Sequence, residues 1–257
     1  MTLIAVCSFK GSPGATTLAL GLASRWPNGH RPVVVECDPA GGDLAARFRL
    51  ALSPGLVSLA AAARRAERSD LLWQHTQQLP GELRVVAGPP GADQAHAALT
   101  ELMGVGEEKS ALWRAAGRAR AVVIADCGRI DQYSPGMPIV RGADVLLLLA
   151  RARDDALAHV ATKVDAMGRW SRRPGFLLVG NGYRSREVSR ELGIDVMARI
   201  PEDAKGAAAL CGASRRRGAL TRSELGKALG ALAERLAEPP SDPSTRDRTT
   251  SSSGAAR

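Results

Sequence analysis

No stretch of this sequence approaches the roughly 20 consecutive apolar residues that a membrane-spanning helix needs. Its longest pure aliphatic run is Val145 to Ala150, so a spanning helix is excluded. Cysteine is sparse as well. Cys7, Cys37, Cys127 and Cys211 stand far apart and form no CxxC pair, which excludes a zinc knuckle and a dithiol redox motif and makes reduced, buried thiols the expectation. Internal repeats are missing, and so are the basic lead and long apolar stretch of a signal peptide. Met1 to Cys7 therefore reads as the first strand of a cytoplasmic protein.

What is present is a chain of 257 residues with 45% apolar and 24% charged side chains, enough for a sizeable core and typical of globular proteins. The formal charge of +9 is unevenly placed. Residues 1–128 carry 13 Lys and Arg against 11 Asp and Glu, whereas residues 129–257 carry 22 against 15. That balance fits either a polyanion partner for the second half or an arginine-rich composition with no such meaning.

Short runs rich in Val, Ile and Leu alternate with Ala/Leu helical patterns. Strands are expected at Leu3–Cys7, Val33–Glu36, Leu83–Ala87, Ala121–Ala125, Val145–Ala150, Phe176–Val179 and Val196–Ile200. Amphipathic helices are expected at Thr16–Arg25, Leu56–Arg68, Asp93–Met103, Leu157–Trp170, Arg186–Leu192 and Ser223–Leu236. Such alternation, with nearly continuous apolar strands, predicts a three-layer α/β/α domain over residues 1–238, its mostly parallel sheet covered on both faces. Residues 239–257 turn to Pro, Ser, Thr, Asp and Arg without an apolar face and read as a flexible polar tail.

Between the first strand and the first helix stands Lys10-Gly11-Ser12-Pro13-Gly14-Ala15-Thr16-Thr17. Glycines in a strand-to-helix turn let successive N–H groups point inward, and the helix N-terminus adds partial positive charge, which together make an anion site. The alternative is a tight Gly/Pro turn with Lys10 solvated. Downstream, Glu36-Cys37-Asp38-Pro39 closes a strand, Asp126 follows another as a metal ligand or a turn cap, and Asn181 ends a third as a base reader or a turn residue.

In this order, and with the segment Ile194 to Asp203 that carries Ile200-Pro201, these segments resemble the deviant Walker A loop, switch I, Walker B strand and Ile-Pro segment of the ParA/MinD family of P-loop ATPases. The resemblance implies ATP and Mg2+ as cofactors, held by residues 10–17, that is Lys10, Gly11, Ser12, Pro13, Gly14, Ala15, Thr16 and Thr17. It implies Thr16, Asp38 and Asp126 around the metal, Asp38 orienting the attacking water, and Asn181, Pro201 and Asp203 at the base. It also implies that Lys10 crosses a nucleotide-bound homodimer to the partner's phosphates, and that the dimer engages a protein partner or cargo.

Two positions depart from the family pattern. Ser12 replaces a glycine, and Ala15 replaces the lysine that ordinarily grips the β and γ phosphates. Losing a charged donor to phosphate removes about 1.5–3 kcal/mol of binding; losing one preorganised donor slows a reaction by roughly a hundred- to a thousand-fold. The expectation is therefore a nucleotide-dependent positioning or partitioning switch with weak or no hydrolysis. The alternative is a pseudo-ATPase scaffold or adaptor, with a TadZ-like role in placing a pilus or secretion apparatus as one form of it. Arg172, Arg173, Arg215, Arg216 and Arg217 are candidate contacts to nonspecific DNA, or simply solvated helix ends.

Overall fold

β-branched and aliphatic residues in short runs build the sheet, because on a pleated strand each buried position is flanked by a residue buried on the opposite side. The computed structural model describes residues 2–10, 13–65, 68–104, 110–171, 173–211 and 218–238. Its strands are β1 (Leu3–Ser8), β2 (Arg31–Glu36), β3 (Gln77–Gln78), β4 (Arg84–Val86), β5 (Ala121–Arg129), β6 (Val145–Arg151), β7 (Pro174–Val179) and β8 (Val196–Ile200). They lie in the order β3-β4-β2-β5-β1-β6-β7-β8. Every pairing is parallel except that of the two-residue edge strand β3 with β4.

Alternation divides the interior into two cores. Leu3, Ala5 and Cys7 of β1, with Val123, Ala125 and Cys127 of β5, face one helical layer. Ile4, Val6, Val122 and Ile124 face the other. The first layer contains the helices Leu56–Ala63, Ala92–Gly104 and Ala111–Ala116, whose Leu59, Leu99 and Leu112 are fully buried. In the second, helix Ala15–Arg25 packs against helix Glu224–Ala237. Gly21 makes that approach possible, since a Cβ there would occupy the place of the Leu229 side chain. Leu225, Leu229, Leu232 and Leu236 are buried in this seam, each contributing roughly 1.5–3 kcal/mol on removal from water.

All seven expected strands form, and the covered parallel sheet is as expected. The single helix expected from Leu157 to Trp170 is instead two, Asp154–Ala161 and Val164–Trp170. Thr162 turns its hydroxyl onto the His159 carbonyl, and Lys163 leaves helical geometry at φ −130°; a hydroxyl that competes for backbone acceptors favours such a break. The helix expected over Leu56–Arg68 stops at Ala63. Helices Leu44–Phe48 and Ala204–Leu210 and strand β3 are too short to carry a readable period. The tail beginning at residue 239 lies outside the described residues.

Sequence order reverses on either side of β1, which lies between β5 and β6. In open parallel sheets the crevice at such a point, beyond the carboxyl ends of the strands, is where ligands bind.

Candidate functional site

The chain leaves β1 at the buried Ser8 and passes through the buried Phe9 to Lys10. Gly11 and Ser12 lie outside the described residues. Gly14 then adopts φ +99°, ψ 34° and caps helix Ala15–Arg25. This left-handed conformation favours glycine because it lacks a Cβ. Its carbonyl accepts the Leu18 amide at 2.8 Å, which leaves the preceding N–H groups of the first turn free of intrahelical partners. Ala15, where the family places a lysine, is a buried methyl in the same apolar cluster as Leu18 and Leu22. Lys10 is half-exposed, and its Nζ stands 3.6 Å from Asp155 Oδ2 on helix Asp154–Ala161.

Three carboxyl groups gather where β2 and β5 end. Register pairs Glu36 with Asp126, and the Cys37 amide donates to the Asp126 carbonyl at 2.7 Å. The Asp126 side chain hydrogen-bonds with the Thr16 hydroxyl and accepts the Gly128 amide at 3.3 Å. Burial, together with the Glu36 and Asp38 charges, pushes its carboxyl up to about 7 against those two hydrogen bonds. Asp38 is partly buried; desolvation raises its carboxyl above the usual range, and the Ala40 amide, donating to Oδ1 at 2.8 Å, opposes that rise. Its carboxyl fills the space that a side chain on Gly128 would need.

Glu36 has a different task. Its Oε1 accepts the amides of Asp43 at 2.8 Å and Leu44 at 3.0 Å, and its Oε2 accepts the Gly88 amide at 2.9 Å. It is 2% exposed, and desolvation raises its carboxyl above the ordinary value against those three bonds. The glycines around it are required for this approach: a Cβ on Gly42 would stand 2.5 Å from Oε2 and 2.8 Å from the Gly88 carbonyl. Glu36 thereby clips the loop that carries Asp38 to the loop after β4. An acidic residue at a strand end was readable in sequence; its partners, distant in the chain, were not.

The expected metal ligands Thr16, Asp38 and Asp126 are thus drawn to one side of the loop. They are hard oxygen donors, which suits Mg2+. Among the described residues no group of three His, Cys, Asp or Glu could hold a metal by itself. The buried thiols of Cys7, Cys37 and Cys127 are free, and desolvation raises all three above their ordinary value, which keeps them protonated.

On the other side of the loop a cleft of about 360 Å³ opens between Pro13, Gly14 and Thr17 and the segment Pro201 to Ala204. Asp203 lines it, but its carboxylate is committed. Oδ1 accepts the Gly206 amide at 2.8 Å and Oδ2 the Leu225 amide at 3.2 Å, and these contacts, that to Gly206 foremost, hold its carboxyl below the usual range. Asn181 is exposed on the loop after β7, where Arg199 on β8 donates to the Gly180 carbonyl at 2.6 Å and to that of Tyr183. Of the arginines suggested for DNA, Arg173 is half-buried and donates to the Arg235 carbonyl at 3.4 Å. Arg172, Arg215, Arg216 and Arg217 lie outside the described residues.

No protein-family model and no curated protein matches the chain. Solved structures do. Similarity extends to a ParA family ATPase from Chlorobium tepidum TLS, with a TM-score of 0.69 and 19% identity over 90% of this chain and 96% of that one. The cell division ATPase MinD of Pyrococcus furiosus gives 0.70 and 18% over 91% and 98%. The septum site-determining protein MinD of Pyrococcus horikoshii OT3, complexed with Mg-ADP, gives 0.70 and 17% over 93% and 97%. At such identities the likeness is one of fold, and the fold is that of the ParA/MinD ATPases.

Proposed function

We propose that the chain is a ParA/MinD-like nucleotide switch, in which ATP and Mg2+ favour a homodimer that engages a partner in intracellular positioning or partitioning, with weak or no intrinsic hydrolysis. The observation that carries this reading is the meeting of Pro13, Gly14 and Thr17 with Pro201 and Asp203 on one cleft, beside the oxygen donors Thr16, Asp38 and Asp126.

In this reading the first-turn amides after Gly14 bind phosphate oxygens, and the Pro201–Asp203 segment packs against the base. Asp203 holds that segment by capping helix Ala204–Leu210. Thr16 and Asp126 would hold Mg2+, which would supply neutralising positive charge to the phosphates. Asp38, fixed by the Ala40 amide and walled by Gly128, orients a water. Slow turnover follows from Ala15, because an aliphatic methyl cannot replace a charged donor that would strengthen in the transition state. Ala15 also favours a second reading, a pseudo-ATPase scaffold or adaptor, since its position belongs to the apolar packing of the helix.

Calorimetry with ATP, with and without Mg2+, combined with light scattering, separates the two. Measurable affinity and an ATP-dependent dimer support the switch; silence in both at millimolar nucleotide rejects it. The exposed ion pair of Lys10 with Asp155 is weakly held, so Lys10 is available to a partner subunit's phosphate. Lys10→Ala is expected to weaken the ATP-dependent dimer by roughly tenfold or more, while ATP affinity of the monomer changes by less than about twofold. Dimerisation equal to wild type would remove Lys10 from the interface.

A further inference from the structure

We infer that Arg199, on β8, is the positioning residue for the base end of the cleft: its one guanidinium holds the loop after β7 in the conformation that offers Asn181. This rests on the nucleotide reading above and names what would fix the base contact in it.

The loop has little conformational preference of its own. Gly180 at φ +76° and Gly182 at φ +142° stand on either side of Asn181, and glycine is the residue least confined by its backbone. Packing supplies what the sequence lacks. The Gly180 amide donates to the Ile200 carbonyl at 2.9 Å, and the Tyr183 amide to the Ala152 carbonyl at 3.1 Å. A Cβ on Gly182 would stand 1.9 Å from that same Ala152 carbonyl, so the loop lies directly on the residue that follows β6.

Those bonds use the amides of Gly180 and Tyr183. The carbonyls of the same two residues go to a single side chain: Arg199 donates from Nη1 to the Gly180 carbonyl at 2.6 Å and from Nη2 to that of Tyr183. A guanidinium is planar, with its donors in a fixed fork, so two carbonyls on one fork are held at a set separation. Hydrogen bonds from an ionised donor are also stronger than those between neutral groups. Asn181 stands between the two anchors and is itself exposed.

The sheet explains why this arginine works from outside the cleft. Register pairs Arg199 with Leu178 and Ile200 with Val179. Ala198 and Ile200 turn to the core that contains Leu18 and Leu22, and Ile200 and Val179 line the cleft. Alternation sends Arg199 to the opposite face, where it is half-buried, so it acts through the loop. The strand that bears it runs straight into Pro201, and one element thereby sets both segments that the nucleotide reading gives to the base.

Preorganisation is the gain. A loop already ordered loses less freedom when a ligand arrives, and a side-chain amide that both donates and accepts has to be oriented to meet a purine edge. Without Arg199 the loop keeps its two amide bonds but loses the anchors of its carbonyls, and Asn181 samples orientations that make no contact.

The test is calorimetric affinity for ATP in Mg2+ buffer, with wild type, Arg199→Ala, Arg199→Lys, Asn181→Ala and the Arg199→Ala/Asn181→Ala double variant, each checked for folding by circular dichroism. Arg199→Ala is expected to lower ATP affinity about three- to tenfold, and Asn181→Ala by a similar factor. The double variant falls within about twofold of Asn181→Ala alone, because the arginine has nothing left to position. A merely structural role would lower affinity by the same factor whether or not Asn181 is present. Arg199→Lys, which keeps the charge without the planar fork, falls between wild type and Arg199→Ala. Hydrogen exchange gives the local readout: the Gly182 and Tyr183 amides exchange faster in Arg199→Ala, while those of Phe176 to Leu178 do not change. Additive losses, or wild-type affinity in either single alanine variant, overturn the assignment, and should Arg199→Ala fail to fold, Arg199→Lys with and without Asn181→Ala decides in the same way. In each of those cases ATP binding by wild type keeps the nucleotide reading; its absence overturns both.

Discussion

Glu36→Ala lowers the free energy of unfolding by about 3–5 kcal/mol. Three backbone amides, those of Asp43, Leu44 and Gly88, donate to this one buried carboxylate. Alanine leaves the three donors facing the space that the carboxylate filled, without the shared acceptor that holds them. A buried unsatisfied N–H costs about 1–3 kcal/mol, and relief of the desolvation that raises the carboxyl recovers only part of that. Glu36→Gln keeps one oxygen and the shape, so it is expected to cost about half as much. Denaturant unfolding measures both. Hydrogen exchange adds a local readout: in a Gln variant that stays folded, the Asp43, Leu44 and Gly88 amides exchange faster than those of β1. A midpoint for Glu36→Ala within error of wild type would mean that the clip bears no weight.

Asp126→Asn raises stability at pH 8 on the order of 2 kcal/mol and changes nothing at pH 4. Burial, with Glu36 and Asp38 nearby, lifts the Asp126 carboxyl from 3.8 to about 7. In the folded chain it therefore keeps a proton that the unfolded chain has released. Between roughly pH 4 and pH 7 the folded form binds more protons, so wild-type stability falls as pH rises through that window and levels off above it. Asparagine removes the charge but can still accept from Thr16 and Gly128. Melting curves at pH 4, 6 and 8 should converge for the two proteins at the acid end and separate at the alkaline end. Mg2+ acts in the same direction for wild type only, since a cation held by Asp126 stabilises the ionised form. Parallel curves at every pH would rule out a buried, strained carboxylate there.

Much of this architecture was legible because strand and helix periods are local. Val145 to Ala150 and Phe176 to Val179 could hardly be anything but buried strands, and their parallel order followed from the helices between them. The glycine turn after β1 and the Ile-Pro segment stood out in the sequence, and the fold brings Pro13, Gly14 and Thr17 to Pro201 and Asp203 across almost the whole chain. What sequence could not supply was the use each polar group makes of its neighbours. Asp203 reads as a base contact, yet its oxygens cap one helix and tie down another. Asn181 reads as a base contact, and it stands exposed on the loop after β7, whose Val179 lines the same cleft. The helix break at Thr162 was missed because an apolar face continues across it while the backbone does not.

The cysteines at the ends of β1, β2 and β5 give the molecule a built-in clock. Cys7, Cys37 and Cys127 are buried, while Cys211 is only partly so. An alkylating reagent should consume one thiol in the first phase and reach the other three only as the strands part. Because those three sit beneath the loop that would embrace a ligand, the slow phase becomes a direct gauge of occupancy: saturating ATP should retard it, and a mass spectrum taken at intervals would count the survivors.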